Sequence, residues 1–308
     1  VTASYLAKDG LAVLVLERLD KVGGAATTDE FSPGFEGPMC AYWLHLLQGK
    51  VVDDLKLREH GLEMSYTISP GDISRRIHPF PDGTFMGGPG INSDFELANQ
   101  IKQFSEQDAR AYFDWIQFWE ASSSILHPYF LTEPPTISQL VDSVRGTSRE
   151  EVLEKMLTWS YIDLIEDHFE DEHVKAYLMK TDIEGDPRSA GSILGSAMLG
   201  CSQFTRNQDS GIPKMSMGTT TRSMENAATS LGAEIRTLAP VKEVIVEGGV
   251  AKGVRLVSGE EFRSFIVISN LDPKRTFTTL FQPKDLSEET VKQVKRLKTM
   301  TGCVKFLA

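Results

Sequence analysis

The stretch "LAVLVLERLDKVGGAATTDEF", residues 11–31, decides the fold of this chain. It opens with an apolar run, Leu11–Leu16, whose lack of polar alternation predicts a parallel β-strand covered on both faces. The run ends at a carboxylate, Glu17. Residues 1–9 before it have the pattern of the last turns of a helix, with Gly10 as its C-cap. Helix, glycine, buried strand and acid together make up half of a βαβ unit.

The acid and the two glycines that follow it indicate what this unit binds. In a dinucleotide-binding βαβ unit, an acid in the position of Glu17 accepts hydrogen bonds from the adenosine ribose hydroxyls. A negative charge there disfavours a 2′-phosphate, but the acid alone does not separate NAD from FAD. Taken singly, an acidic strand end or a flexible loop is common, and only their combination with Gly23 and Gly24 is informative.

Composition and charge limit the class of protein. The chain has 308 residues, 41% of them hydrophobic, which suits a globular enzyme with a large core. Its net charge of −11 argues against nucleic acid as a partner, because that affinity needs clustered Lys and Arg. The three cysteines form no CxxC pair, so a dithiol redox centre and a zinc ribbon are not expected. We expect no metal site, and we interpret "EDHFEDEH" (166–173) as a solvated acidic helix surface.

The rest of the chain changes pattern twice. A short amphipathic helix is predicted at 51–60, and a hairpin turns at Asp82-Gly83. Residues 94–204 are mainly helical in period. After residue 213 the sequence predicts a helix at about 218–231, a strand, a three-strand meander and a final buried strand, "FIVIS" (265–269).

One predicted helix, "ARAYFDWIQFWEASSSIL", is crowded with aromatic residues. Tyr112, Trp115, Ile116 and Trp119 fall at helix-face spacing. This pattern favours core packing over membrane docking or the wall of a substrate pocket.

A family resemblance rests on these motifs. The segment "ERLDKVGGAATT" (17–28) resembles the second fingerprint of FAD enzymes in the glutathione-reductase-like superfamily, especially its amine oxidase and phytoene desaturase branch. The likeness continues in order through "PFPDG", "DPRSAGSILGSAMLG" and "VISNLDPKRTF", and so covers nearly the whole chain. Within that branch the chain looks most like the group called pyridine nucleotide-disulphide oxidoreductase domain-containing protein 2. The active-site dithiol suggested by that name has no counterpart here.

The resemblance implies a set of cofactor-binding residues. These are Glu17, Arg18, Gly23, Gly24, Ala25, Tyr42, Val241 and Asn270. Glu17 would hold the adenosine ribose, Arg18 would flank the adenine or ribose, and Val241 would contact the adenine through its backbone. The two glycines and Ala25 would line the diphosphate.

Two of the implied positions are less specific than the others. Tyr42, in "CAYWL", would lie near the isoalloxazine ring. Asn270 closes the "VISN" strand, and its alternative role is that of an ordinary turn residue before Asp272-Pro273.

Three departures from the family pattern affect these expectations. The GxGxxG phosphate loop would lie upstream of Val1, and the C-terminal segment that closes over the flavin ring is not in the sequence. We therefore expect a fragment of a longer protein that binds FAD poorly by itself. The family's glycine-rich "GGMG" before the helix at 218 reads "SMG" here, with Lys214 nearby, which we expect to alter the substrate side.

The expected fold is α/β. A Rossmann-like (glutathione-reductase-like) FAD-binding domain would be built from residues 1–63 and 214–280. A largely helical substrate domain would be built from 64–213 and 281–308.

The expected function is that of an FAD-dependent oxidoreductase, phytoene dehydrogenase-like, which transfers hydride from an apolar, polyene or carotenoid-like small molecule to flavin. A flavin-dependent isomerase and a non-catalytic flavin-fold interaction protein are the alternatives. An amine oxidase, which needs an aromatic cage at the flavin, is less favoured. We expect a cytoplasmic protein and leave peripheral membrane contact open. The sequence names no catalytic residue, substrate, electron acceptor or oligomeric state.

Overall fold

A computed structural model describes residues 1–44, 46–67, 77–88, 91–179, 186–204 and 211–297. The helices are α1 (Thr2–Lys8), α2 (Gly49–Asp54), α3 (Asp94–Ile101), α4 (Glu106–Leu126), α5 (Ile137–Val144), α6 (Arg149–Thr158), α7 (Tyr161–His168), α8 (Glu172–Leu178), α9 (Ser192–Phe204), α10 (Gly218–Ser230), α11 (Pro273–Thr279) and α12 (Glu288–Arg296). The strands are β1 (Leu14–Leu16), β2 (Thr28–Ser32), β3 (Phe35–Pro38), β4 (Met64–Thr67), β5 (Ile77–Pro79), β6 (Phe85–Gly87), β7 (Gly211–Pro213), β8 (Glu234–Arg236), β9 (Val241–Glu247), β10 (Val250–Leu256) and β11 (Glu261–Arg263).

The strand that opens the fingerprint is parallel, as predicted. β1 pairs with β8, with Leu14 opposite Glu234. It is shorter than the predicted run Leu11–Leu16, and it is half-buried rather than covered on both faces. Leu11 is 51% exposed. The reason is that β8 is the one strand paired with β1 in the described part of the chain, so the other edge has no strand beside it.

The C-terminal strands are confirmed in part. β9, β10 and β11 form the predicted antiparallel meander. The predicted buried strand at 265–269 is wrong, because the chain there forms no strand and Phe265 is 97% exposed. An apolar run supplies side chains for a core, but it becomes a strand only where a neighbouring strand accepts its hydrogen bonds.

Local backbone geometry explains two other outcomes. The helix predicted at 51–60 is α2, which ends at Asp54, and the left-handed Lys56 (φ 52°) stops it from continuing. The predicted hairpin is confirmed: β5 pairs with β6, and Gly83 (φ 86°) supplies the left-handed residue of the turn.

The helical region packs around one core of aromatic and aliphatic side chains. Tyr112, Trp115 and Trp119 are all buried in it, and Ile116 packs against it. The Trp115 ring meets the Tyr161 ring edge-on, with centroids 5.9 Å apart. Core packing is therefore the role of this aromatic stripe. No helix in the described ranges is both long and apolar enough to cross a membrane.

A separate, smaller core supports the proposed division into two domains. Val52 and Leu57 pack there with Ala227 of α10. The two points at which the chain is predicted to pass between the domains, next to Glu63 and Lys214, also lie side by side. The Lys214 amide donates to the Glu63 carbonyl at 2.9 Å, and the two side chains form an ion pair at 2.7 Å. The division itself stays a proposal, and residues 298–308 of its second segment lie outside the described residues.

A buried carboxylate ties the long helix α4 to the loop between α7 and α8. Asp108 is fully buried. Its oxygens accept hydrogen bonds from the backbone amides of Glu170, at 3.1 Å, and Asp171, at 2.9 Å. These two amides precede α8, so Asp108 fixes where that helix begins.

We predict that Asp108→Ala lowers the free energy of unfolding by about 2–4 kcal/mol, because it takes a charged acceptor away from two backbone amides. Asp108→Asn keeps one acceptor oxygen and should lose less. Urea unfolding followed by circular dichroism measures both. The matched control is Asp114→Ala on the exposed face of α4, which should change stability by less than about 0.5 kcal/mol. Equal losses at the two positions would contradict the role given to Asp108.

Candidate functional site

The site begins where β1 and β8 end together. The Glu17 amide continues the ladder by donating to the Arg236 carbonyl at 2.9 Å. The chain leaving β8 then crosses beside the acid: the Leu238 amide donates to the Leu19 carbonyl, and the Ala239 amide donates to the Glu17 carbonyl, each at 2.8 Å. Val241, the first residue of β9, follows two residues later. The structure thus brings two predicted adenosine-side residues, Glu17 and Val241, to one edge.

The Glu17 side chain is available for a ligand. It is half-buried, and its Oε1 accepts a hydrogen bond from the Leu19 amide at 2.8 Å. That bond orients the carboxylate. Its Oε2 has no hydrogen-bond partner among the residues that the structure describes, so it is free to accept from a hydroxyl. Arg18 is exposed next to it.

Gly23 and Gly24 have different structural roles. Gly23 has φ 131°, and a Cβ on it would lie 3.0 Å from the Thr221 hydroxyl of α10, so it is packed against that helix. Gly24 has φ 53°, and a Cβ there would meet nothing within 4 Å. Its backbone, with that of the exposed Ala25, borders open space. An exposed backbone turn with a left-handed glycine suits the diphosphate of a dinucleotide.

Helix α10 is locked to this loop at its first residue. The Gly218 amide donates to the Thr28 hydroxyl at 2.9 Å, and a Cβ on Gly218 would lie 2.8 Å from the same oxygen. Sequence reasoning missed Thr28 and Thr221, because a hydroxyl that packs against a glycine far away in the chain leaves no local pattern.

A lysine closes the base of the glycine loop. Lys21 Nζ donates to the Thr28 carbonyl at 3.0 Å and also pairs with the Asp29 carboxylate. The hydrogen bond from Lys21 holds the pKa of Asp29 below its ordinary value, and the same bond raises the pKa of Lys21. The clamp is therefore intact at neutral pH and is lost as the pH falls through the depressed pKa of Asp29.

The two less specific predictions, Tyr42 and Asn270, are placed differently from each other. The Ala41 amide donates to the Ala25 carbonyl at 2.8 Å, which sets the following residue, Tyr42, beside the glycine loop with its side chain 53% exposed. Asn270 is exposed, and the hydrogen bonds around it organise the start of α11, where Asp272 accepts from the Arg275 amide at 2.8 Å. No hydrogen bond or ion pair in the described part of the chain joins Asn270 to the Glu17 edge.

The segment before α10 has an unusual backbone. Met215 and Ser216 are consecutive non-glycine residues with left-handed φ angles of 56° and 79°. The Ser216 amide donates to the Pro213 carbonyl at 3.1 Å and closes the turn. Met215 is 75% exposed. The sequence carried a signal for this feature, because this is the point at which the glycines of the family's "GGMG" pattern are replaced.

The fold is that of an α/β protein, and the Glu17 edge combines an acid and a parallel strand end that suit a dinucleotide. The chain belongs to the family described as flavin containing amine oxidoreductase, which it matches over residues 1–308. FAD, the cofactor predicted from the double glycine, is confirmed at the level of this family.

Individual relatives are similar over most or part of the chain. The mouse (Mus musculus) protein called pyridine nucleotide-disulfide oxidoreductase domain-containing protein 2 is 29% identical over 99% of this chain and 57% of its own length. A limonene dehydrogenase polypeptide from Castellaniella defragrans is 26% identical over 96% of this chain and 53% of its own length. The carrot (Daucus carota) prolycopene isomerase is 36% identical over 25% of this chain and 12% of its own length. This chain thus spans little more than half of the first two relatives.

A solved structure supports the fold. A triple mutant of putrescine oxidase superposes with a TM-score of 0.61 at 14% identity, covering 95% of this chain and 60% of that one. At this identity the likeness concerns the fold alone.

We predict that the double variant Met215→Gly/Ser216→Gly is more stable than the natural chain. A left-handed φ destabilises a folded non-glycine residue by about 1–2 kcal/mol, and the double variant removes this strain at two positions. Each glycine offsets about 0.5–1 kcal/mol of that gain, because it makes the unfolded chain more flexible. The free energy of unfolding should therefore rise by about 1 kcal/mol in total. The midpoint of thermal unfolding measures it. Met215→Ala/Ser216→Ala is the control, since it shortens the same side chains and keeps the left-handed backbone. A glycine variant no more stable than the alanine variant would show that the turn carries no strain.

Proposed function

We propose that this chain is part of an FAD-dependent oxidoreductase that removes hydride from a carbon of an apolar, polyene-like substrate. The observation that carries the proposal is the strand end that brings Glu17 beside the start of β9, with the open backbone of Gly24 seven positions further along the chain. An acid with one free oxygen suits the ribose hydroxyls of FAD, and the left-handed turn suits its diphosphate.

Each predicted residue except Asn270 has a role in this proposal. Glu17 accepts from the ribose, Arg18 flanks the adenine or the ribose, and the Val241 backbone contacts the adenine. The amides of Gly24 and Ala25 face the diphosphate, and Gly23 keeps α10 close behind it. When bound, the flavin supplies the hydride acceptor. The role of the chain is to orient the substrate carbon and to exclude water, with the helical region (64–213) as the substrate side and Tyr42 near the ring.

The substrate class rests on the relatives. Two of them are named for limonene and prolycopene, both apolar alkenes. The name of the carrot relative also favours the second candidate, an isomerase in which the flavin cycles without net turnover. The description of the family names amine chemistry instead, which argues against both of these candidates.

Anaerobic flavin bleaching separates these candidates. The full-length protein, reconstituted with FAD, is mixed without oxygen with limonene, with a cis-polyene and with putrescine. Loss of flavin absorbance with an alkene supports the oxidoreductase. Isomerisation of the polyene only after prereduction of the flavin supports the isomerase. Bleaching by putrescine alone overturns the apolar substrate, and bound FAD that responds to none of them indicates a non-catalytic protein.

We predict that Glu17→Ala weakens FAD binding more than tenfold, which corresponds to about 1.4 kcal/mol. The ribose hydroxyls lose a charged acceptor, and hydrogen bonds to charged groups contribute about 1.5–3 kcal/mol each. Glu17→Gln keeps an acceptor oxygen and should lose less. Quenching of flavin fluorescence in the full-length protein gives the dissociation constants.

The matched control is Asp20→Ala, an exposed acid three positions further along the same loop. This substitution removes one negative charge, as Glu17→Ala does, but it leaves the end of β1 unchanged. FAD affinity that falls equally in the two alanine variants would assign the effect to general electrostatics. Unchanged affinity in Glu17→Ala would remove Glu17 from the site.

A further inference from the structure

A groove lies between the consecutive helices α3 and α4, away from the Glu17 edge. Its volume is about 330 Å³, within the range of about 300–1,000 Å³ that is usual for small-molecule sites. Its floor is made of Ala98 and Ala109, which are buried and small. Larger side chains at these two positions would fill the space, so the groove exists because the helices meet through alanines.

Two aromatic rings form the walls of this groove. Phe95 is 67% exposed and Phe113 is 41% exposed. Aromatic side chains carry a large apolar area, and covering it stabilises whatever complex covers it. The neighbouring aromatics on α4, Tyr112 and Trp115, are buried in the helical core instead. The two phenylalanines therefore offer an apolar surface to a ligand.

Two cations stand at the same groove. Lys102 has no carboxylate within ion-pair distance among the residues that the structure describes. Arg110 meets only Glu106 in that part of the chain, at 3.8 Å, with both side chains at least 70% exposed, and such a pair contributes little. Two other acids nearby are engaged: Asp94 accepts from the Tyr112 hydroxyl at 2.8 Å, and Asp108 accepts from the amides before α8.

This arrangement is unusual for a chain with a net charge of −11. The charged side chains in the lining itself are those of Lys102 and Arg110, and Glu106 offsets part of this charge through its pair with Arg110. The Asn99 amide adds a neutral donor and acceptor in the same lining. A ligand that complements the groove has one anionic group and an apolar body of modest size.

We propose that the α3–α4 groove binds a single-chain amphiphile with a carboxylate headgroup. The carboxylate pairs with Lys102 and Arg110, and the alkyl chain lies along Ala98 and Ala109 between the two phenylalanine rings. The concave, ligand-sized shape favours one free molecule over a flat membrane surface. The site does not depend on FAD, and it stands or falls independently of the proposed oxidoreductase activity.

Isothermal titration of the full-length protein with dodecanoate, kept below its micelle concentration, tests the proposal. We expect one site per chain with micromolar affinity. Lys102→Ala and Arg110→Ala should each weaken binding about threefold, as expected for exposed ion pairs, and the double variant about tenfold. The matched control, Lys292→Ala/Arg296→Ala on α12, removes two exposed cations elsewhere and should leave the affinity unchanged. Circular dichroism confirms that every variant is folded.

Three results would overturn the proposal. The first is no binding of dodecanoate at millimolar concentration. The second is equal binding of dodecan-1-ol, or equal losses in the groove variants and the α12 control, because either would make the cations irrelevant. The third is association with anionic phospholipid vesicles in a flotation assay without binding of monomeric dodecanoate, which would identify a membrane-docking face instead.

Discussion

The hydrogen bond from the Glu17 amide to the Arg236 carbonyl is the interaction on which the site depends. It extends the parallel ladder of β1 and β8 by one residue and so fixes where both strands end. The crossing segment is then held by Leu238 and Ala239, and β9 starts beside the acid. Without this register the Glu17 carboxylate and the start of β9 would have no reason to lie together.

A second constraint is the close contact between the glycine loop and α10. It needs glycine on both sides: Gly23 against Thr221, and Gly218 against Thr28. The turn that leads into this anchored helix holds its two non-glycine residues, 215 and 216, in a left-handed backbone. Strain of about 1–3 kcal/mol per residue is tolerated at functional sites when the surrounding structure determines the conformation. The departure from the family pattern at residues 215 and 216 is therefore a feature of the backbone as well as of the side chains.

The helical region and the strand region have separate cores, joined where Glu63 and Lys214 meet. The helical core is built around Trp115, Trp119 and Tyr161. The outer face of α3 and α4 lies outside this core and carries a different set of side chains. That face combines exposed phenylalanines with two cations in an acidic chain. The two proposed ligands would therefore be held at different places, the substrate beside the flavin and the carboxylate amphiphile in the α3–α4 groove.

The sequence by itself determined the features that depend on short-range residue patterns. The parallel strand ending at Glu17, the left-handed turn at Gly83, the meander β9–β11 and the aromatic core stripe all follow from periodicity, glycine placement or a terminal acid. The tertiary structure alone decided the rest. The apolar run at 265–269 is not a strand because strand formation needs a hydrogen-bonding neighbour, which composition does not specify. Thr221 and Thr28 became part of the site because packing joined distant segments, and the two adjacent glycines received different roles for the same physical reason.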